Sequence, residues 1–140
     1  MKNRSSQSVL KDKSFRSVVQ IVGYNHPQHN NHVNLDLSRQ LLRSGTSIRA
    51  TVEEALRGQC SKDFISKLAF AAKEAREAGY WLRLTRDTYP YNHPELADLL
   101  EKCGELAKML NRIILNTRRK FAAADPRLQP RTQHSELPDT

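Results

Sequence analysis

The stretch LLRSGTSIRATVEEA, residues 41–55, allows two interpretations that lead to different folds. Its centre, RSGTS, has the glycine and hydroxyl groups of a phosphate-binding loop, whereas its ends have the composition of a helix. The pattern G-x-x-x-x-G-K-[ST] is absent, and no strand pattern precedes the stretch. Periodicity favours a helix, because apolar and small residues fall within a stripe about 100° wide. The stripe contains Leu37, Leu41, Gly45, Ile48, Val52, Ala55 and Leu56, and the opposite face contains Arg39, Arg43, Thr46, Ala50 and Arg57.

Gly45 lies within this predicted buried stripe. A glycine in a helix costs about 1 kcal/mol relative to alanine, so packing has to offset that cost. We expect the missing side chain to let a neighbouring helix approach closely. Small residues recur in the third helical segment as well, which predicts close packing between the second and third helices.

Three further segments have helical periodicity. The first covers residues 10–24, with a broad apolar face of Phe15, Val18, Val19, Ile21 and Val22. The third covers residues 61–86, with a core stripe of Phe64, Leu68, Ala72, Ala75, Gly79 and Leu82. The fourth covers residues 94–121, with a core stripe of Leu96, Leu99, Leu100, Cys103, Leu106, Ala107, Leu110, Ile113, Ile114 and Phe121.

Four amphipathic helices with short connections and no strand pattern predict an all-α, antiparallel up-down four-helix bundle. We expect this bundle to cover residues 10–121. Residues 1–9 are predicted to be a flexible basic N-terminus. Residues 122–140 are rich in proline and polar residues, which predicts a disordered tail.

The formal net charge of the chain is +8. A strongly basic chain suggests polyanionic partners, and nucleic acid first. The alternative is that the charge only keeps a small protein soluble. No apolar run approaches the roughly 18 residues of a membrane span, so no membrane partner is expected. Cys60 and Cys103 form neither a disulfide framework nor a metal pattern, and reduced thiols favour the cytoplasm.

Signals for catalysis are weak. His26, His29 and His32 have a spacing that would align them on a helix, as metal ligands require. Pro27 and the surrounding asparagines argue against a helix there, however, and we predict no metal, cofactor or catalytic residue. No nucleophile elbow, zinc motif or dinucleotide fingerprint occurs. An enzyme is therefore the least supported class of protein.

A second apolar set lies on the third segment, on the face predicted to point away from the core. Phe70, Trp81 and Leu84 lie within about 60° of one another. Exposed aromatic residues often mark a subunit interface, which is one interpretation. The other is that Trp81 caps the core or folds over its own helix.

Two stretches resemble a known family. They are LSRQLLRSGTSI with VEEA, at residues 37–48 and 52–55, and SKDFISKLAFAAKEAREAGYWLRL, at residues 61–84. They resemble bacterial four-helix-bundle proteins linked to intervening sequences of 23S ribosomal RNA. The accessory proteins of diversity-generating retroelements are related to that family. The resemblance implies a helical bundle that assembles as a homopentamer, and retroelement relatives bind nucleic acid and a reverse transcriptase through basic surfaces.

Three hypotheses of function follow. The first is a non-enzymatic oligomeric scaffold that binds the backbone of RNA or DNA, including as an accessory to a reverse transcriptase. The second is a protein-interaction scaffold that binds no nucleic acid, and the third is a metal-dependent enzyme that uses the histidine cluster. For the first hypothesis, the candidate phosphate contacts are Arg39, Arg43, Arg57, Arg112, Arg118, Arg119 and Lys120.

Overall fold

The computed structural model describes residues 5–25, 35–58, 60–88 and 94–128. Nearly all of these residues are helical, and none within these ranges belongs to a strand. The helices are α1 (Ser6–Tyr24), α2 (Leu35–Arg57), α3 (Ser61–Thr88) and α4 (Pro94–Ala124), followed by a 3-10 turn at Pro126–Leu128. The predicted all-α four-helix arrangement is confirmed. In the described ranges, no helix is both long enough and apolar enough to span a bilayer.

Each helix packs against its neighbours in the chain, and α1 also packs against α4. Consequently α1 and α3 lie on one diagonal, and α2 and α4 on the other. Contacts between the ends show that successive helices are antiparallel. The Ser38 hydroxyl near the start of α2 donates to Asn25, at the end of α1, over 3.0 Å. Near the same end of the bundle, Gln20 of α1 donates to Asp98 of α4 over 2.8 Å.

The hydrogen bonds at this α1–α4 contact also affect the protonation of Asp98. Lys102 Nζ donates to the Gln20 side chain over 2.7 Å and lies 3.0 Å from the Asp98 carboxylate. Hydrogen bonds from Gln20 and Lys102 lower the pKa of Asp98. Because this cluster is exposed, it fixes the register of α1 against α4 more than it stabilises the fold.

The stretch at residues 41–55 lies wholly within α2. The predicted stripe is correct in its centre, because Leu41, Gly45, Ile48, Val52 and Ala55 are buried. Leu37 and Leu56, at the two ends of the stripe, are half-buried. The phosphate-loop interpretation is therefore wrong, since residues 41–55 form continuous helix.

At Gly45, a side chain of α1 packs directly against the backbone of α2. A Cβ atom at this position would lie 2.7 Å from Ile21 Cδ1 and 3.1 Å from Ile21 Cγ2. Ile21 is itself fully buried, so it has little room to move away. The predicted close approach is confirmed, and the helix that approaches is α1.

The predicted apolar face of α1 is buried only in part, since Ile21 is buried and Val18 is half-buried. The buried residues of α1 are Leu10, Ser14, Ser17, Ile21 and Tyr24. Phe15, Val19 and Val22 are instead exposed, although they belong to the predicted face. Two serines can be buried at low cost because their hydroxyls bond to carbonyls of their own helix. Ser14 donates to Lys11 O over 3.0 Å, and Ser17 donates to Lys13 O over 2.9 Å.

The C-terminal part of α4 also differs from the prediction. Gln7, Ser61, Phe64 and Thr117 lie around one pocket, which marks the end of the bundle. α4 continues beyond Thr117, so Phe121 has no core to enter and is 49% exposed. Helix α4 ends at Ala124, three residues beyond the predicted end of the fourth helix at residue 121, and a 3-10 turn follows at Pro126–Leu128. The predicted disorder of the last residues, 129–140, lies outside the described residues.

We predict that Gly45→Leu destabilises the protein, because a large side chain would displace the buried Ile21. Overpacking of this kind costs about 1–3 kcal/mol. Gly104→Ala is the control, since a Cβ there meets nothing within 4 Å. It should stabilise the helix by about 0.5–1 kcal/mol. Thermal unfolding followed by circular dichroism at one protein concentration measures both. An unchanged melting temperature for Gly45→Leu would contradict the packing argument.

We also predict that the two thiols differ in reactivity. Burial raises the pKa of Cys103 to about 11, whereas Cys60 is exposed. Because the thiolate is the reactive form, DTNB should modify Cys60 promptly in native protein and Cys103 only after unfolding. A Cys60→Ser variant is the control. Rapid modification of this variant in the native state would show that Cys103 is accessible.

Candidate nucleic-acid interface

Arg43 lies between α2 and α3, where its charge is compensated. Its Nη1 is 3.4 Å from Glu74 Oε2, and its Nη2 forms an ion pair with Glu77. Glu74 is 4% exposed, so this carboxylate depends on Arg43 as its partner. The structure therefore gives Arg43 a packing role at the α2–α3 contact, which leaves it less available for a phosphate.

The other two arginines predicted on α2 are exposed at its outer surface. Arg57 lies 3.4 Å from Glu53 in an i,i+4 pair, and its side chain is highly exposed. Such a surface pair is worth little and leaves the guanidinium accessible. Arg39 makes no ion pair with any residue in the described ranges. Arg39 is thus the α2 cation that is most available to a ligand.

The apolar set predicted on α3 divides into two groups. Trp81 and Leu84 are half-buried, and Trp81 packs against the core. The Trp81 indole donates to Glu77 Oε1 over 3.3 Å. Trp81 therefore caps the edge of the core, as the second interpretation expected. Phe70 is 47% exposed, and a role of this set in a subunit interface stays a prediction.

The C-terminal half of α4 carries a dense group of cations. Within the described ranges, none of them forms an ion pair, and all of them are exposed. The group consists of Lys108, Arg112, Arg118, Arg119 and Lys120. At 100° per residue, Lys108, Arg112 and Arg119 lie within about 80° of Gly104 on the helix. These three cations therefore extend one face of α4 from Gly104 to the helix end.

Gly104 forms part of a groove between α3 and α4 with a volume of about 540 Å³. Its floor is made of small and apolar residues: Ala75, Gly79, Leu100, Cys103, Gly104 and Ala107. A Cβ at Gly79 or Gly104 would meet nothing within 4 Å, so the absence of two side chains keeps the groove open. Arg76, Arg83 and Arg86 line the groove from α3, and Glu101 is the acidic residue in its lining.

We call the α3 arginines of the groove together with the aligned α4 cations the cationic face. It consists of Arg76, Arg83, Arg86, Lys108, Arg112 and Arg119. Arg86 contacts the neighbouring Asp87 at 3.0 Å; the other members form no ion pair with a described residue. Arg76 and Arg83 are seven residues apart, so their Cα atoms are about 10.5 Å apart along the helix axis. The face can hold an extended polyanion along the bundle.

Sequence reasoning missed Arg76, Arg83 and Arg86. In the sequence they alternate with the acids Glu74, Glu77 and Asp87, so α3 has no conspicuous basic run. The acids and the arginines lie on different sides of α3. Glu74 faces α2, where it contacts Arg43, whereas Arg76 and Arg83 face α4 and line the groove. The spacing of Arg76, Gly79 and Arg83 is the sequence feature that could have indicated these arginines, because residues at i, i+3 and i+7 share one helix face.

The described residues offer no candidate metal centre. They contain no group of three or more His, Cys, Asp or Glu side chains placed to hold a metal ion. The predicted histidine cluster, at residues 26, 29 and 32, lies outside the described residues. The described surface carries unpaired guanidinium and ammonium groups, and such groups bind phosphate oxygens.

The sequence profile of the 23S rRNA-intervening sequence protein family matches residues 6–112, from the start of α1 into α4. The chain belongs to this family. A protein with unknown function from the S23 ribosomal protein family of Bacteroides thetaiotaomicron has a similar crystal structure, with a TM-score of 0.72 and 38% sequence identity. The similarity covers 78% of this chain and 97% of that chain. The comparison with curated proteins gives no match.

The family match confirms the resemblance seen in residues 37–84. It includes the whole groove and the cations up to Arg112, whereas Arg118, Arg119 and Lys120 lie beyond the matched residues. The groove arginines therefore belong to the part of the chain that aligns with the 23S rRNA-intervening sequence protein family, and the last α4 cations are an extension of it.

We predict that Arg43→Ala lowers the free energy of unfolding by about 1–2 kcal/mol, because it leaves the buried Glu74 without its partner. Arg39→Ala is a matched control, and an exposed unpaired arginine should change stability by less than about 0.5 kcal/mol. Urea unfolding measures both. Equal stability of the two variants would mean that the Arg43–Glu74 pair contributes nothing to the fold.

Proposed function

We propose that this protein is a non-enzymatic, homo-oligomeric scaffold that binds RNA or DNA in the cytoplasm, without a cofactor. The observation that carries the proposal is the cationic face. It places six cations from α3 and α4 along one side of the bundle, and all of them except Arg86 form no ion pair with a described residue. Glu101 is the one acid in the groove lining. In a chain of net charge +8, this concentration of charge is the feature that best fits a polyanion.

Contacts from this face would go to phosphates. Arginine and lysine side chains that contact phosphates fix the position and orientation of a nucleic acid without reading its sequence. The floor of the groove has no aromatic side chain, so it offers no platform on which bases could stack. We therefore expect binding that depends strongly on salt and weakly on sequence.

Two finer roles are compatible with this chemistry. The family is described as 23S rRNA-intervening sequence proteins, which makes structured RNA the first ligand to test. An accessory role with a reverse transcriptase of a diversity-generating retroelement is the other role, and it too needs a basic surface on an oligomer. We propose a homopentamer for either role. Arg39, Arg57, Arg118 and Lys120 are additional candidate phosphate contacts in both roles.

A protein-interaction scaffold without nucleic-acid binding is the second candidate function. The observation in its favour is the exposed apolar surface of α1, where Phe15 and Val19 are each 55% exposed. Salt separates the two functions, because added salt weakens phosphate contacts and does not weaken apolar contacts.

We predict that removing cations from the cationic face weakens nucleic-acid binding more than removing them from α2. The variants are three pairs with the same charge change: Arg76→Ala/Arg83→Ala, Arg112→Ala/Arg119→Ala and the α2 pair Arg39→Ala/Arg57→Ala. Fluorescence anisotropy of labelled RNA and duplex DNA at several salt concentrations measures binding. On duplex DNA, the slope of log affinity against log salt should become shallower by about 0.9 for each phosphate that a variant no longer neutralises.

The first two pairs should lower both the affinity and the salt slope, and the α2 pair should change them less. If only the α2 pair weakens binding, the ligand surface is α2 and the cationic face is not the site. If the unmodified protein binds neither RNA nor DNA at low salt, the nucleic-acid function is wrong and the interaction scaffold becomes the better hypothesis.

A further inference from the structure

A tyrosine lies among the cations on the outward side of α3. Tyr80 is 49% exposed, and it follows Arg76 by one helical turn and precedes Arg83 by another. At 100° per residue, these three residues and Lys73 fall within a stripe about 80° wide. All four side chains are exposed. We call Lys73, Arg76, Tyr80 and Arg83 the Tyr80 stripe. It shares two arginines with the cationic face, so Tyr80 lies beside the groove and outside its floor.

The cations of the Tyr80 stripe are available to a ligand, because none of the three forms an ion pair with a described residue. The acid that falls on the same side of α3, Asp87, contacts Arg86 at 3.0 Å. Along the helix axis, the Cα atom of Tyr80 lies about 6 Å from that of Arg76 and about 4.5 Å from that of Arg83. A nucleic-acid strand that passes over the ring therefore meets a cation on each side of it.

The ring of Tyr80 is held by its neighbours and stays open to a ligand. It packs edge-on against Trp81, with ring centroids 5.0 Å apart and an angle of 67° between the ring planes. Trp81 is itself fixed, because its indole donates to Glu77 over 3.3 Å and its side chain packs against the core. An aromatic ring that is positioned before binding loses little conformational entropy when a ligand stacks on it.

An exposed aromatic ring between unpaired cations suits a single-stranded nucleic acid. The phosphates of such a strand bind the cations, and its bases stack on the ring. A duplex offers only the phosphate contacts, because its bases are stacked on one another and have to be flipped out before a protein can reach their planes. The unpaired cations of α4 extend the same positive charge, which favours a polyanion over a protein as the ligand.

We propose that Tyr80 stacks on an unpaired base of RNA or DNA, while Arg76 and Arg83 bind the phosphates on either side of that base. This proposal rests on the proposed function and narrows the ligand of the cationic face to single strands and to the single-stranded regions of folded RNA. Stacking uses the plane of the base, which every base has, so the site tolerates different sequences. Lys73 extends the path of phosphate contacts along α3.

Variants of two exposed aromatic residues of α3 test the stacking contact. Tyr80→Leu removes the ring and keeps an apolar side chain against Trp81, whereas Tyr80→Phe keeps the ring. Phe70→Leu is the matched control, since Phe70 is 47% exposed and lies outside the Tyr80 stripe. Fluorescence anisotropy measures the binding of oligouridine, oligothymidine and a blunt-ended RNA duplex of the same length, at several salt concentrations. Helicity and a cooperative thermal transition verify that each variant is folded.

We expect Tyr80→Leu to weaken the binding of oligouridine and of oligothymidine by at least about fivefold. Its binding of the duplex should be unchanged, since a duplex makes no stacking contact with the ring. The slope of log affinity against log salt should also be unchanged, because the lost contact involves no phosphate. Tyr80→Phe and Phe70→Leu should bind all three ligands like the unmodified chain.

Undiminished binding of single strands by Tyr80→Leu would show that no base stacks there. The proposed function would stand in that case if Arg76→Ala/Arg83→Ala still weakens binding. Equal losses on single strands and on the duplex would give Tyr80 a structural role and overturn the proposal. So would a loss in Tyr80→Phe as large as the loss in Tyr80→Leu, because the hydroxyl would then be the binding group. An unmodified chain that binds no nucleic acid at low salt would reject the proposed function and base stacking together, and would leave the Tyr80 stripe as a surface for a protein.

Discussion

The contact between Gly45 and Ile21 determines how α1 joins the bundle. Ile21 occupies the space that a side chain at residue 45 would fill. Once Ile21 points inward, helical periodicity also turns Leu10, Ser14, Ser17 and Tyr24 inward. The remaining apolar residues of α1 are then left on the outside. One close approach between two helices therefore determines both the composition of the core on this side and the apolar surface opposite it.

A second consequence of packing is the separation of charges on α3. This helix carries acids and bases in alternation, and the bundle directs them to different neighbours. Glu74 and Glu77 contact Arg43 on α2, where they stabilise the α2–α3 contact. Arg76 and Arg83 line the groove against α4, where Gly79 and Gly104 leave space above the floor. The chain thereby obtains a cationic surface without a basic run in α3.

The proposed function rests on the cationic face. Phosphate contacts are individually weak and depend on salt, so a protein that presents the same cationic face several times gains affinity through multivalency. The proposed homo-oligomer would supply that repetition. The membership of the chain in the 23S rRNA-intervening sequence protein family supports RNA as the first ligand to test.

The sequence by itself determined the number of helices, the approximate bounds of α2, α3 and α4, the stripe of α2 from Leu41 to Ala55, and the close approach at Gly45. These features follow from local periodicity and from the cost of glycine in a helix, which are properties of single segments. Only the tertiary structure decided which side of α1 is buried. Two apolar sides compete in that helix, and serines that bond to their own backbone carry little penalty inside.

Tertiary structure likewise decided that Arg43 pairs with Glu74, that Phe121 is exposed, and that Arg76 and Arg83 line the groove against α4. The charge of a residue is visible in the sequence, but its availability depends on which side chains a neighbouring helix brings within a few ångströms. That proximity is a property of helix packing and is absent from any single segment.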